Sequence, residues 1–363
     1  MGLVIHFSIK TVTATKLEKR LSKNINTTFL ILGSSNQNEL QVALFAILYP
    51  SLKKCSLYFI NPLTSFNQED LSLETKDTNV SKILIPHLAE ITGHKVNYTI
   101  KISESNFARI VDILGGFPVF FDNGSVESSE KYKRGTGDIL FSGEETLDYA
   151  KLAKKDDPLS YIARLNKQEA LLLSFYDRII ENKNSIRKEW IYGIAGLVDT
   201  ELTGPELFSL FNFITTSKIS ISISEMPGEL YTHKASGLPQ LYVKEEIANI
   251  AFGKFEDYLK SEDFADGEHA RTEILNATGI NGLAKSAKAL LNEKRIKVLS
   301  TDNAQISNLK NSLVIDRSGN PEFSYKIASV LEIKKVKHII NKEIGLDTTV
   351  ILGEDFGSNP AKN

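Results

Sequence analysis

Three apolar runs of strand length crowd into the first sixty residues: TTFLIL from Thr27, VALFAILY from Val42 and SLYFI from Ser56. Uninterrupted runs of this size, bounded by turn residues, read as strands buried in a core, and three in succession predict neighbours in one sheet. A sheet of this kind needs apolar cover from helices. The next stretch supplies it: KILIPHLAEITG repeats its apolar residues at helical spacing and stops at Gly93, and NFARIVDILGG reads as a helix closed by paired glycines. Between them VNYTIKIS alternates as a half-buried strand, and PVFF reads as a short one. Ser142, with Glu145 three residues on, is a capping-box helix start. The span 159–182 is a long helix with Leu165, Leu171, Leu172, Leu173, Phe175, Tyr176 and Ile179 among its apolar positions, Pro205 stands in the first turn of another, and ISISISE alternates as a strand. Strands and helices mixed in this way predict a three-layer α/β/α domain around a central mixed sheet.

The chain turns acidic at SEDFADGEH, which reads as a boundary. Beyond it RTEILNAT, RIKVLST, SLVIDR and TTVILGEDF read as strands, with GLAKSAKALLNE and FSYKIASVLEI as helices between them. With 363 residues the chain exceeds what one core usually serves. The expected organisation is therefore a tail over 1–26, the layered domain over 27–265, a small α/β domain over 268–356 and a second tail over 357–363. The small domain has an apolar set of its own in Ile274, Leu283, Leu291, Val298, Val314, Ile327, Leu331 and Val350. The opening MGLVIHFSIKTVTATKLEKR is either the trimmed end of a membrane anchor or a first strand or frayed terminus, and no run approaches the roughly 18 to 20 apolar residues that span a bilayer.

Lys and Arg number 43 against 45 Asp and Glu, so net charge exerts no pull toward nucleic acid, and aromatic residues are not interleaved with a basic patch. Nucleic acid is excluded as a partner on both grounds. Cys55 is the single cysteine, which excludes an internal disulfide framework and a cysteine-based zinc site; it reads as a small buried hydrophobe. The six histidines lack metal-ligand spacing. Ser34 and Ser35 lack the elbow of a hydrolase, and GTGDILFSG lacks the ending of a phosphate loop.

Two segments carry a family likeness. VDILGGFPVFF, followed by GDILFSGEETLDYAKLAKKDDPLSYIARLNKQEALL, resembles the LytR-CpsA-Psr pattern at Asp112, Gly115, Gly116, Gly137, Gly143, Leu147, Tyr149, Arg164 and Gln168. RTEILNATGINGLAKSAKALL with DTTVILGED resembles the LytR C-terminal domain at Ile274, Leu275, Asn276, Gly279, Gly282, Leu283, Ala284, Leu352, Gly353 and Asp355. The likeness runs from about Thr27 to Phe356, and the order of the two parts is more specific than either alone. It implies an extracytoplasmic cell-envelope protein. Active members of that family transfer a glycopolymer from a polyprenyl-pyrophosphate carrier to the cell wall, with arginine forks on the pyrophosphate and carboxylates on a magnesium ion.

This chain departs from the pattern where the charges belong. Glu39, Leu40 and Gln41 stand for Arg-Ser-Asp; Ile60, Asn61, Pro62, Leu63 and Thr64 stand for Ser-Ile-Pro-Arg-Asp. Lys151 and Ala153 replace paired arginines, Tyr161 replaces an aspartate, and Lys167 with Gln168 replaces Arg-Gln. No Arg or Asp occurs between Asn24 and Gln68, so no shift of register restores them. The resemblance therefore implies a non-catalytic protein binding peptidoglycan, a wall glycopolymer or an envelope partner, with no catalytic residue, metal or cofactor. The alternative is an active transferase with a rebuilt site and magnesium, for which carboxylates facing basic side chains in one cleft would count.

Lys151, Arg164 and Lys167 are the candidates for a residual anion site, against a solvated basic face near Asp156 and Asp157. Asp112, beside its glycine turn, reads as a structural hydrogen-bonding residue rather than an acid catalyst. Phe45, Phe59, Leu84, Leu88, Phe107, Ile110, Leu114, Phe120 and Leu172 would line a polyprenyl-lipid pocket or simply be core. In the second domain Asn276, Thr278, Asn281 and Lys285 sit at a strand-to-helix turn, where they either meet a sugar or peptide or cap the turn.

Overall fold

The three apolar runs form adjacent strands. A computed structural model describes residues 14–75, 80–121, 137–151, 158–261, 270–305 and 309–357. The chain runs α1 (Lys16–Ser22), β1 (Thr27–Ser34), β2 (Leu40–Tyr49), β3 (Lys54–Ile60), β4 (Thr64–Ser65), α2 (Val80–Thr92), β5 (Tyr98–Ser103) and α3 (Glu104–Ile113). It continues through β6 (Phe117–Phe121), β7 (Gly137–Phe141), α4 (Gly143–Ala150), α5 (Pro158–Asn182), α6 (Lys188–Ala195), β8 (Asp199–Thr200) and α7 (Gly204–Ser217). Then come β9 (Ser220–Glu225), β10 (Glu229–Thr232), β11 (Pro239–Tyr242) and α8 (Glu245–Lys260). The remainder comprises β12 (Thr272–Asn276), α9 (Leu283–Glu293), β13 (Val298–Asn303), β14 (Leu313–Asp316), α10 (Pro321–Leu331), β15 (Val336–His338) and β16 (Thr348–Leu352).

The central sheet has the order β8-β5-β1-β2-β3-β9, with β1-β5 and β3-β9 parallel and the other pairs antiparallel. Side chains alternate across a strand, so β2 serves two cores at once. Phe45, Ile47 and Tyr49 pack under Leu84, Leu88, Phe252 and Leu259 of α2 and α8. Leu44, Ala46 and Leu48 pack on the opposite side with Leu17, Leu165 and Leu173. This is why β2 reads as a continuous apolar run rather than an alternating one. The second sheet, β13-β12-β16-β14-β15, is also mixed, and its core is built on Ile274, Leu291, Val314, Ile327 and Val350.

Part of the segment 1–26, expected as a tail, is a helix. Thr15 caps α1 in a full capping box with Glu18, and Leu17 and Leu21 are buried against the second core. Two apolar residues four apart among lysines and arginine leave a narrow stripe, which a charge-dominated reading passes over. The expected boundary at 262–269, and Ala153, Asp156 and Asp157, lie outside the described residues.

Candidate functional site

The strand ends of β1, β2 and β5 meet at one edge of the central sheet. Ser34 pairs with Leu40 on one side and Ser103 on the other, and the β1-β2 register shifts at Gly33/Ser34. Gln41 and Glu104 thereby stand beside this edge, and α5 crosses it. Gln168 Nε2 donates to the carbonyls of Gln41 and Ala150, both at 3.3 Å. Arg164 Nη1 donates to Gln41 Oε1 at 3.5 Å, lies 3.8 Å from Glu74 Oε1, and its guanidinium covers the Tyr161 ring at 4.6 Å. Tyr161 donates to Glu74 Oε2 at 3.3 Å. Lys151, at the C-terminal end of α4, places Nζ 2.6 Å from Glu104 Oε2. Lys167 Nζ stands 5.8 Å above the Tyr149 ring.

Backbone contacts fix this arrangement. Asp112 Oδ1 accepts from the Gly143 amide at 2.8 Å, tying the end of α3 to the start of α4. A side chain at Gly143 would put its Cβ 2.1 Å from the Ala108 carbonyl oxygen, so only glycine allows the two helices to approach. Gly116 has φ +84, and a Cβ there would meet the Phe141 carbonyl at 2.8 Å. Ser142 caps α4 with the reciprocal Glu145 contact that the sequence predicts.

Arg164 does not lie on a solvated face: it is 5% exposed, and among the described residues its Nη2 has no hydrogen-bond partner. Burial pulls its guanidinium below the usual arginine range, opposed by Glu74. Burial and then Glu74 push the Tyr161 hydroxyl up, and Glu39 adds to that. Lys151 and Arg164 each face a glutamate, so their charge is matched within the protein. The same pairing argues against magnesium. A hard cation needs open carboxylate oxygens, whereas Glu104 already holds an ammonium and Glu74 holds both a phenol and a guanidinium. Tyr161 stands where the resemblance puts an aspartate. Among the described residues no three His, Cys, Asp or Glu gather as a metal cluster. The described carboxylates beside the strand ends, Glu74 and Glu104, are engaged by basic or phenolic partners.

The other candidates separate. Phe45, Leu84 and Leu88 lie in the core on one face of the sheet, Phe59 and Leu172 in that on the other, and Phe107 beside the cluster of β6 and β7. Phe120 packs against the second sheet. They do not share one lipid pocket. Asn276 Nδ2 donates to the Ile280 carbonyl at 2.9 Å, and its Oδ1 accepts from both the amide and the hydroxyl of Thr278. Both side chains are thus engaged in closing the turn, and Asn281 and Lys285 are the exposed members of the set. His87 and His94 bond Glu245 and Glu256, fastening α2 to α8.

Sequence reasoning missed a second group of charges. On α5, Glu169 and Asp177 face the second domain. His338 lies between Asp177 Oδ2 (3.0 Å) and Asp316 Oδ2 (3.1 Å), and Tyr325 donates to Asp177 Oδ1 at 2.6 Å. Burial alone would lower the His338 pKa, but its bonds to Asp177 and Asp316 outweigh that and raise it to about 9. Lys342 pairs with Glu169 at 2.8 Å and with Glu225. Burial pushes Glu169 up to about 8 despite Lys342, because two carboxylates share one ammonium. Charged residues recurring within a largely apolar helix were the available signal.

Comparison with known proteins follows the same division of the chain. Residues 78–251 match the LytR_cpsA_psr family, and residues 269–356 match the LytR cell envelope-related transcriptional attenuator family. Over 148 residues the chain is 26% identical to the polyisoprenyl-teichoic acid–peptidoglycan teichoic acid transferase TagU of Bacillus licheniformis, covering 39% of this chain and 47% of that protein. Over 254 residues it is 19% identical to the cell wall biosynthesis protein LcpA of Corynebacterium glutamicum, covering 66% and 49%. The chain thus spans about half the length of these curated relatives. A structure of TagT bound to LIIa-WTA aligns with a TM-score of 0.52 at 17% identity, over 70% of this chain and 96% of that one. Protein gbs0355 of Streptococcus agalactiae aligns with a TM-score of 0.50 at 14% identity, over 67% and 91%. Both establish the fold.

Proposed function

The chain belongs to the LytR-CpsA-Psr family, and on that premise we propose that it is an extracytoplasmic cell-envelope protein that binds wall glycopolymer, peptidoglycan or an envelope partner without transferring it. One observation carries the reading: the two cations best placed for a pyrophosphate, Lys151 and Arg164, are each paired with a glutamate, at 2.6 and 3.8 Å. A pyrophosphate leaving group develops dense negative charge, and each missing contact forfeits on the order of several kcal/mol of transition-state stabilisation. Lysine offers phosphate a point charge, not a fork. Arg164 could form a fork, but it is buried against Glu74 and Tyr161.

The relatives' names support the wall as the partner: one is a teichoic acid transferase, another a cell wall biosynthesis protein. A second reading is favoured by one feature, that Glu74 and Glu104 face basic side chains beside the same strand ends, as a rebuilt transferase site would require. The deciding experiment offers the purified chain a polyprenyl-pyrophosphate-linked glycopolymer and a wall acceptor, with and without magnesium, and follows product together with retention on purified sacculi. Retention without turnover is the expected result. Magnesium-stimulated turnover that disappears in Lys151→Ala and Arg164→Ala would establish the second reading instead.

A further inference from the structure

Away from the strand-end site, a crevice of about 270 Å³ opens where the β6-β7 hairpin meets the second sheet. Phe120, Leu309 and Leu313 give it an apolar floor, and Lys310, Lys335 and Lys337 stand around it. The topology explains the gathering of charge. Strands β14 and β15 are parallel, with Val314 opposite Val336, so the residues that precede each strand arrive at the same sheet edge. Lys310 leads into β14, and Lys335 immediately precedes β15. Asn311 adds an amide to the lining.

Among the described lining residues the three lysines are accompanied by one carboxylate, Asp138. Lys337 Nζ is 2.6 Å from Asp138 Oδ1 of the hairpin and 5.9 Å above the Phe120 ring, so this cation serves the contact between the two parts of the chain. Lys310 and Lys335 are exposed, and among the described residues neither has an ion-pair partner. The nearby Asp355 is engaged, accepting from the Ser312 amide and hydroxyl at 2.7 and 2.6 Å. Two exposed lysines without an ion-pair partner among the described residues, lining a crevice with an apolar floor, suit a chain that alternates anionic groups with carbon-rich units.

We infer that this crevice is the docking site for a phosphodiester-linked polyol or sugar polymer, with Lys310 and Lys335 on its phosphates and the floor against the carbon skeleton. The inference rests on the wall-binding reading and locates the polymer away from the strand-end site.

The full chain and a Lys310→Ala/Lys335→Ala double variant are titrated by calorimetry with poly(glycerol phosphate) and with uncharged chitohexaose. Both are also tested for retention on intact sacculi and on sacculi chemically stripped of phosphodiester polymer. Binding of poly(glycerol phosphate) that weakens about tenfold in the variant, with no matching change for chitohexaose, is expected from the loss of two near-surface charge contacts. Circular dichroism checks that the variant keeps its fold. Retention on intact sacculi only, lost in the variant, supports both the crevice and the wall reading. Retention of parent and variant alike on stripped sacculi, with equal affinity of the two for poly(glycerol phosphate), leaves the wall reading standing and overturns the crevice. Calorimetric binding that depends on the two lysines, without retention on any sacculi, upholds the crevice and overturns the wall reading. Equal affinity of parent and variant for poly(glycerol phosphate), or no binding by either, refutes the inference.

Discussion

Replacing His338 by Gln tests whether the two domains are held by a charged latch. His338 is 2% exposed in its side chain, and Asp316 is 0% exposed, so His338→Gln leaves a buried carboxylate without its cation. Breaking a buried pair from one side costs about 3 to 5 kcal/mol. Asp316 keeps the Ser318 and Gly319 amides at 3.1 and 3.2 Å, which places the loss at the lower end. Linkage gives a second route to the number. A pKa raised from 6.5 to about 9, at about 1.4 kcal/mol per unit, corresponds to roughly 3 kcal/mol. The folded-state pKa lies above the unfolded one. This stability is therefore fully present below about pH 6.5 and is lost as pH rises through about 9. Glu169 is raised as well, from 4.5 to about 8, so its linkage also favours the lower pH, but it contributes equally to parent and variant. The difference between the two proteins isolates His338. Urea unfolding followed by circular dichroism should show the variant about 3 kcal/mol less stable at about pH 6, with the gap closing by about pH 10. A gap of the same size at both pH values, or none at the lower one, would refute the latch.

Gly143→Ala should lower stability by at least about 2 kcal/mol, read as a drop in thermal midpoint, because its Cβ would lie 2.1 Å from a carbonyl that the backbone cannot withdraw cheaply. Arg164→Ala should cost about 3 kcal/mol in urea unfolding, since Glu74 and Tyr161 lose a buried partner, while Lys151→Ala, whose side chain is 39% exposed, should stay within about 1 kcal/mol; equal costs would overturn the distinction between the two pairs.

The layered architecture was legible wherever burial is strong and local. β1 to β3 stand out as uninterrupted apolar runs, α4 announces itself by Ser142 and Glu145, and α5 by its length. Helix α1 was missed because two leucines among basic residues make a stripe too narrow to stand out, and Leu17 is fixed by a tertiary contact, its amide donating to Glu206 Oε1 at 3.4 Å. The contacts of the strand-end cluster were only partly legible. Arg164 and Lys151 follow from a local pattern, but their partners Glu74 and Glu104 lie 90 and 47 positions away in sequence. No local rule connects residues so far apart. Seven of the nine apolar residues read as either core or lipid-pocket lining fall in separate clusters for a related reason, since periodicity marks a side chain as buried without saying which face of the sheet receives it.

Four of the residues this chain shares with the family pattern have in common what they touch. Asp112 and Gln168 bond main-chain groups, Gly143 makes room for the Ala108 carbonyl, and Gly116 adopts a positive φ beside the Phe141 carbonyl. Each holds one segment of backbone against another, so replacing any of them would disturb the fold whether or not a ligand is present. The positions at which this chain departs from the pattern are ones to which the resemblance assigns an anion or a metal, and such groups can be exchanged without breaking a main-chain contact. Where Arg164 remains, it is bound into the protein by Glu74, Gln41 and Tyr161. Immediately after Gln168, Glu169 joins α5 to the second domain through Lys342. On the non-transferring reading proposed above, α5 holds the sheet edge with Gln168 and the adjoining domain with Glu169, two roles that do not depend on presenting a fork to a pyrophosphate.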